Sequence, residues 1–110
     1  MKFKKIVCKD GFEISVQAGE WLYCEPRQEA RRHTKYTQVE CGFPSAHEPL
    51  LEPYKDGLSG SDPTQSVYGY VPVHIVELVI MGHGGIVSGE LPGGVRYITA
   101  EMMEQANENV

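Results

Sequence analysis

The amino-acid sequence predicts one α+β domain, with a small antiparallel β-sheet, one main buried helix and a short C-terminal helix. Its 110 residues are the usual size of a single domain, which we expect to span residues 1–110. Short segments of alternating apolar and polar residues indicate strands, and one strongly apolar segment has helical spacing. Hydrophobic residues form 41% of the chain and charged residues 23%, as in ordinary folded domains.

The chain opens with a predicted β-hairpin. Residues 3–8 form its first strand, and the alternation of residues 12–16 indicates the second. Asp10-Gly11 favours a two-residue hairpin turn between them. A third strand is predicted over residues 36–43, where alternation places one set of side chains toward the core. The residues of that set are Thr37, Val39, Cys41 and Phe43.

Two irregular segments flank the third strand. Residues 21–24 are a short apolar strand or loop, and residues 25–34 are polar without apolar periodicity, which indicates an exposed loop. Residues 44–66 are rich in proline, glycine and serine and predict a long structured arm. Leu50, Leu51 and Tyr54 are candidates to attach the first half of this arm to the body or to a neighbouring subunit.

The second half of the chain predicts a strand over 66–71, a helix over 73–81 and a last helix over 100–107. Pro72 suits the first turn of the apolar helix, and His83-Gly84-Gly85 is typical of a helix end. A helix this apolar is expected in a core or in an oligomer interface. Residues 95–98 are predicted to be extended, and Thr99 is a suitable N-cap for the last helix.

Composition and charge exclude several classes of protein. The start of the chain lacks an apolar segment long enough for a signal peptide, and no segment approaches the ~20 apolar residues of a membrane span, so we expect a cytoplasmic protein. A net charge of −5 argues against binding a nucleic-acid polymer. Residues 1–36 nevertheless carry +3 (8 − 5) and residues 37–110 carry −8 (2 − 10). A basic first third in an acidic protein suits a small anion.

No pattern in the sequence indicates a catalytic or metal centre. Neither a G-x-G-x-x-G segment nor a Walker loop is present, and the four histidines have no metal-ligand spacing. The three cysteines are expected to be buried thiols. We expect no cofactor and no metal.

Arginine and tyrosine supply the remaining chemistry. Arginine binds phosphate through two bonds and stacks on rings, so an arginine beside tyrosines can hold a nucleotide. Arg27 follows Tyr23-Cys-Glu-Pro, and Arg96 lies between Val95 and Tyr97; each could instead be a surface arginine paired with Glu25 or Glu90. Arg31 and Arg32 complete the arginines. The candidate ligand-binding residues are Arg27, Arg96, Tyr23, Tyr97, Tyr68 and His83.

Several segments in series resemble the first Thoeris anti-defence family of phage proteins. They are Val7-Cys-Lys-Asp-Gly-Phe12, Ser15-Val-Gln-Ala18, Tyr23-Cys-Glu-Pro-Arg27, Val39-Glu-Cys-Gly-Phe-Pro-Ser45, Val67-Tyr-Gly-Tyr-Val-Pro72 and His83-Gly-Gly-Ile86. The resemblance covers roughly residues 6–86. It assigns the family's ligand arginine to Arg27 and a second one to Arg96. The chain departs from the family pattern at Gly82 and in the arginine-rich segment 28–35.

The resemblance implies a sponge that binds a cyclic ADP-ribose immune signal (gcADPR) without cleaving it, in the cytoplasm of an infected bacterium. It also implies a homo-oligomer, a dimer or a hexamer built from dimers, and binding of the cyclic oligonucleotides of CBASS defence at a separate site. Two alternatives stay open. One is an inhibitor that binds a host protein through the apolar helix or the arm, and the other is a nucleotide hydrolase with His83 or His47 as general base.

Overall fold

The core of the fold is a five-stranded antiparallel sheet. The computed structural model describes residues 2–31 and 33–108, so Arg32 lies outside the described residues. The strands are β1 (Ile6–Cys8), β2 (Glu13–Gln17), β3 (Gln38–Gly42), β4 (Val67–Pro72) and β5 (Ile86–Ser88). Their order across the sheet is β4-β3-β2-β1-β5, which makes β4 and β5 the edges. The predicted α+β class with a small antiparallel sheet is confirmed.

The opening hairpin forms with a longer loop than predicted. The amide of Gly11 donates to the carbonyl of Cys8, and Gly11 has a φ of 93°. The amide of Cys8 donates to the carbonyl of Phe12, so the loop has three residues, 9–11. This is the three-residue arrangement in which a turn is followed by a left-handed glycine. Asp10 supports the turn because its carboxylate accepts from the amide of Phe12 at 2.9 Å.

The first strand is shorter than predicted because a side chain replaces part of its ladder. The side-chain amide of Gln17 accepts from the amide of Phe3 at 2.8 Å and donates to its carbonyl at 2.7 Å. These two bonds satisfy the backbone of Phe3 without a strand partner. Regular pairing between β1 and β2 therefore starts only at Ile6, which lies opposite Ile14.

One main helix, α1 (Val73–Gly82), follows β4 directly. Its buried side chains Val76, Val79 and Ile80 belong to the same core as the inward residues of the sheet. Val73, Ile75 and Met81 pack against this core and are partly buried, whereas Leu78 stays 44% exposed. The short last helix, α2 (Ala100–Glu108), has Thr99 before it, and the Thr99 hydroxyl accepts from the amide of Met102 at 3.1 Å. Both predicted helices are confirmed.

The arm between β3 and β4 contains two 3-10 helices, Pro49–Tyr54 and Pro63–Gln65. Glu48 caps the first and Asp62 caps the second, each through a side-chain oxygen that accepts a backbone N–H. Leu51 is fully buried and attaches the arm to the body, as predicted, whereas Leu50 is 41% exposed.

Two predictions of extended structure were wrong. Residues 95–98 form no strand, because the chain there follows Pro92-Gly-Gly94 and makes only one isolated bridge, between Thr99 and Ile86. Phe43 leaves the core face of β3, because its φ of 53° turns the chain and leaves the ring 49% exposed. Tyr36 lies at a position that the alternation predicted for the strand turns away from the core. It is nevertheless buried, and its hydroxyl donates to the carbonyl of Gln28 at 2.7 Å.

Three further features bear on the sequence-based expectations. Within the described residues, none of the helices has the length and apolarity needed to cross a membrane. Cys8, Cys24 and Cys41 are free and buried, as expected. Burial raises the pKa of the Cys41 thiol to about 12 and, together with the charge of Asp10, raises that of Cys8 to about 11, so both are inert near neutral pH.

Candidate functional site

Two predicted site residues meet on the surface beside the edge strand β4. The guanidinium of Arg27 lies over the ring of Tyr23, with its central carbon 6.0 Å from the ring centroid. The Tyr23 ring is 5.8 Å from the ring of Tyr70, at an angle of 37°. Tyr23 is 47% exposed and Tyr70 40%, so a ligand can reach both rings. We call Tyr23, Arg27 and Tyr70 the arginine–tyrosine cluster.

A bulge in β4 brings Tyr70 into this cluster. The pairing of β3 with β4 shifts register between Val39 and Cys41, so β4 carries one extra residue there. Tyr70 has a φ of 52°, a conformation that costs a bulky residue free energy and is often found at functional sites. The amide of Tyr70 donates to the carbonyl of Tyr23 at 2.9 Å. The bulge thus directs the Tyr70 ring toward Tyr23.

Tyr23 is held from both sides by the sheet. Its amide donates to the carboxylate of Glu40 at 3.0 Å. Its side chain covers Gly69, where an added Cβ would lie 3.0 Å from the Cβ of Tyr23. A side chain at position 69 would therefore displace the ring, so the glycine is what allows this close approach.

Arg27 also lines a surface depression of about 410 Å³ formed with Glu20, Gln28, Glu29, Arg31 and Thr34. Arg31 in this depression pairs with Glu29 at 3.2 Å. Among the described residues, Arg27 has no carboxylate within ion-pair distance. Its guanidinium therefore keeps its hydrogen-bond donors available to a bound anion.

A second depression of about 270 Å³ adjoins the first and shares Glu20 and Glu29 with it. Trp21 lines this second depression and is 84% exposed, the most exposed aromatic ring among the described residues. An apolar ring this accessible, close to an unpaired arginine, adds a stacking surface to the region.

The other predicted site residues lie elsewhere. Arg96 binds Glu77 of α1: the Arg96 amide donates to one carboxylate oxygen at 2.9 Å and its Nε to the other at 3.3 Å. Glu77 is 8% exposed, so Arg96 compensates a nearly buried charge. Tyr97 is 43% exposed, and its hydroxyl donates to the carbonyl of Gly89. Within one chain, Arg96 and Arg27 share no hydrogen-bond partner among the described residues.

Tyr68 faces the core and is 1% exposed. Burial raises the pKa of its hydroxyl above the ordinary value. In a regular strand Tyr68 and Tyr70 would share a face, because side chains two residues apart point the same way. The bulge separates them, so the exposed tyrosine of β4 is Tyr70 and not Tyr68. The one sequence clue to this bulge is Gly69, because a glycine inside a strand often marks a bulge.

His83 joins three segments of the chain. It follows the last turn of α1, and its ring stacks on Phe12 at 3.9 Å. One ring nitrogen lies 2.6 Å from Asp10 of the hairpin loop, and the other lies 3.0 Å from Glu48, the cap of the arm. Since the two carboxylates lie at opposite nitrogens, both nitrogens can donate to them only when the ring is protonated, so this arrangement favours the imidazolium. Glu48 is 8% exposed, and both ring nitrogens of His83 are engaged in these contacts between segments of the chain.

Comparisons with models of protein families, with curated proteins and with solved structures found no match to this chain. The geometry of the arginine–tyrosine cluster and its surroundings is therefore the basis for assigning a function.

Proposed function

We propose that the chain binds and sequesters a cyclic ADP-ribose type signal without cleaving it, as the resemblance to the Thoeris anti-defence family implies. The observation that carries the proposal is the unpaired guanidinium of Arg27 over the ring of Tyr23, with Tyr70 beside it. This combination offers bidentate binding to a phosphate and a surface for a purine ring. A cytoplasmic protein in an infected bacterium would meet such a signal where TIR proteins release it.

The spacing of the cluster indicates how a ligand would bind. The two tyrosine rings are 5.8 Å apart, which is too close for a base to insert between them. A purine would instead stack on an outer face, on the Arg27 plane or on Tyr70, with its phosphates turned toward the depression that contains Arg27 and Arg31.

The affinity for its ligand that a sponge requires favours a complete site that contains a second copy of the chain. A sponge needs a Kd near nanomolar, about −12 kcal/mol. The cluster is about half exposed, and charged contacts in open solvent contribute little each. We propose that a second protomer covers the ligand and excludes water, which strengthens the contacts with Arg27. Arg96, which faces outward beside α1, is the residue that the second protomer would contribute.

The binding assay separates a sponge from an enzyme. The protein is incubated with a cyclic ADP-ribose isomer, denatured by heat, and the supernatant is analysed by chromatography. Recovery of the intact cyclic molecule supports sequestration, and recovery of linear or cleaved product contradicts it. The assay is repeated with cyclic oligonucleotides to test the separate site that the resemblance implies. A hydrolase with His83 as base would need a free ring nitrogen, and both are engaged.

Arg27→Ala tests the cluster directly. We expect it to weaken binding by about 1–3 kcal/mol in isothermal titration. The matched control is Lys35→Ala, another exposed cation, which should leave the Kd unchanged. An unchanged Kd for Arg27→Ala would remove the cluster from the site. If Arg96→Ala also weakens binding while the protein stays folded, the two arginines act together across a subunit boundary.

A second function, binding of a host protein, is favoured by a different observation. Leu58 in the arm is 94% exposed, in a Gly- and Ser-rich segment. Such a contact would use Leu58, because a fully accessible apolar side chain gains free energy when a partner covers it. Pull-down from host lysate with the wild type and with Leu58→Ser distinguishes this function, because a captured host protein that is lost with Leu58→Ser would support it and a nucleotide sponge would show no such loss.

A further inference from the structure

A second concave site lies on the sheet face turned away from the core. It is a groove of about 610 Å³, a size typical of small-molecule sites. Its floor includes Ser15 and Gln17 of β2, whose neighbours Ile14 and Val16 point into the core. We call it the lysine–phenylalanine groove, after Lys2, Lys4, Lys5, Phe3 and Phe43 in its lining, which also includes Gly42.

Positive charge dominates the groove in a protein whose net charge is −5. Lys2, Lys4 and Lys5 line it, and the acidic residue among its lining is Glu40. The Glu40 carboxylate already accepts from the amide of Tyr23. Lys5 lies 3.7 Å from Glu13 with both side chains about half exposed, so water screens that pair. Among the described residues, no carboxylate lies within ion-pair distance of the ammonium groups of Lys2 and Lys4. The carboxylate of Glu90 accepts instead from the backbone amide of Lys4, at 2.9 Å.

Two phenylalanine rings give the groove an apolar wall. Phe3 is held in place by the paired hydrogen bonds between its backbone and the side chain of Gln17. Phe43 is 49% exposed at a φ of 53°, and its amide donates to the carbonyl of Ser66 at 2.9 Å. A large apolar residue kept exposed in a left-handed conformation satisfies no packing requirement of the core, which is the kind of outlier that indicates function.

We propose that this groove binds a small organic anion with one negative group and a flat aromatic body. The anionic group lies among the lysine ammonium groups, and the ring lies against Phe43 and Phe3. An inorganic anion would use the cations alone and leave the rings uncovered. A flat lipid surface would not reach the floor of a concave site, so the occupant is a free molecule. The proposal is independent of the arginine–tyrosine cluster and of the function proposed for it.

The test uses 2-naphthalenesulfonate as the probe, followed by isothermal titration and by ¹H–¹⁵N NMR shift mapping. We expect shifts at residues 2–5, 15–17 and 40–43, with Arg27→Ala leaving the Kd unchanged. Neutral 2-naphthol and inorganic sulfate should each bind at least about tenfold more weakly than the probe. The first has the aromatic ring without the negative charge, and the second has the charge without the ring. Equal binding of 2-naphthol, or shifts centred elsewhere, would overturn the proposal.

Two variants of the protein test whether the probe binds in this groove. Gly42 lies in the lining of the groove, and an added Cβ there would meet only Val67 and the carbonyl of Ser66, at 3.9 Å. Gly42→Leu should therefore fill the groove and weaken binding at least about tenfold. The double variant Lys2→Gln/Lys4→Gln changes only surface cations and should give a loss of about tenfold, whereas Lys35→Gln should give none.

The double lysine variant keeps the proposal testable if Gly42→Leu fails to fold. Full binding by a folded Lys2→Gln/Lys4→Gln protein would contradict the site. Co-sedimentation of the wild type with phosphatidylglycerol vesicles, lost in the double variant, would show that the groove serves a lipid surface and would overturn the assignment to a free molecule.

Discussion

Tyr70 illustrates how one backbone angle decides whether a side chain belongs to the core or to a site. Its φ of 52° costs a non-glycine residue about 1 kcal/mol, and its ring is 40% exposed. We predict that Tyr70→Gly keeps or raises the free energy of unfolding, by up to about 1 kcal/mol, while it weakens nucleotide binding. Urea unfolding and isothermal titration on the same protein measure the two effects.

The matched variant for this position is Tyr70→Val. A β-branched residue tolerates the left-handed conformation poorly, so we expect it to lower the free energy of unfolding by about 1–2 kcal/mol relative to Tyr70→Gly. Equal stability of the glycine and valine variants would mean that the bulge relaxes when the ring is removed.

His83 makes stability depend on pH. Burial acts to lower its pKa, but hydrogen bonds and charges from Asp10 and Glu48 outweigh burial and raise the pKa above the ordinary 6.5. The stabilisation is therefore complete below pH 6.5 and is lost as the pH rises through the raised pKa. The pKa of Asp10 is lowered from 3.8, first by the amide of Phe12 and also by His83, so its contribution is lost as the pH falls below 3.8.

We predict that the urea concentration at the unfolding midpoint of the wild type decreases as the pH is raised from about 6 to about 9, because His83 then loses its proton. His83→Gln should remove most of this dependence, and His74→Gln, which changes an exposed histidine of α1, should preserve it. Cys8 does not interfere, because its pKa is about 11. A wild-type profile that is flat over this range would show that His83 is not held as an imidazolium.

The junction of α1, β5 and α2 depends on Gly85. Its amide donates to the carbonyl of Ile80 at 2.9 Å, and its φ is 90°. An added Cβ would lie 2.6 Å from the carbonyl oxygen of Thr99, which no rotation of a side chain can relieve. The sequence indicated that the glycines after His83 end the helix, and the structure adds that Gly85 lets the start of α2 approach.

We predict that Gly85→Ala lowers the free energy of unfolding by at least about 3 kcal/mol, through left-handed strain and backbone overlap. Gly57→Ala is the control, since a Cβ there meets no atom within 4 Å. It should change stability by no more than about 0.5 kcal/mol. Thermal and urea unfolding measure both, and similar stabilities would show that α2 can move away from Gly85.

The elements that the sequence predicted well are those with strong local signals. The hairpin, the strands β3 and β4, and α1 carry alternation or helical spacing, and their ends coincide with glycine and proline. Residues 95–98 also look like a strand, but the chain meets the free edge of β5 in a single isolated bridge, between Thr99 and Ile86. Just before this segment, Gly93 and Gly94 hold the chain close to the backbone of Thr34 and Tyr36. The direction from which a segment approaches a sheet edge depends on such distant contacts, which local sequence does not encode.

Assembly concerns the molecule as a whole. The described surface keeps several large apolar side chains exposed, among them Leu78 of α1 at 44%, Val87 of β5 at 63% and Met102 of α2 at 51%. Of the two places expected for the apolar helix, a core or an oligomer interface, the single chain already provides the core for the buried side chains of α1. A dimer is expected from the resemblance, and covering Leu78 of α1 is the contribution that this helix would make to it.

We predict that light scattering gives a mass of at least twice 12.3 kDa, and that Leu78→Lys lowers it toward a single chain. Measurements with and without a cyclic ADP-ribose isomer test whether ligand and assembly are coupled. A mass of one chain for the wild type at all concentrations, with ligand present, would contradict a site shared between subunits.

Part of the candidate site was predictable. Arg27 lies four positions after Tyr23, and the proline between them limits how the chain can bend. Their proximity could therefore be predicted from this short segment alone. Tyr70 was missed because its exposure depends on the register between β3 and β4. The lysine–phenylalanine groove was missed because Lys2 and Phe43 meet only after the sheet has formed.

By itself, the sequence determined the α+β class, the hairpin, both helices and the burial of the cysteines, because each depends on neighbouring residues through alternation, helical spacing or capping. The tertiary structure alone decided that Tyr70 and not Tyr68 faces solvent, that Arg96 binds Glu77, and that His83 lies between two carboxylates. Each of these contacts joins residues set side by side by strand register or by helix packing, and those long-range pairings are chosen by the free energy of the whole core.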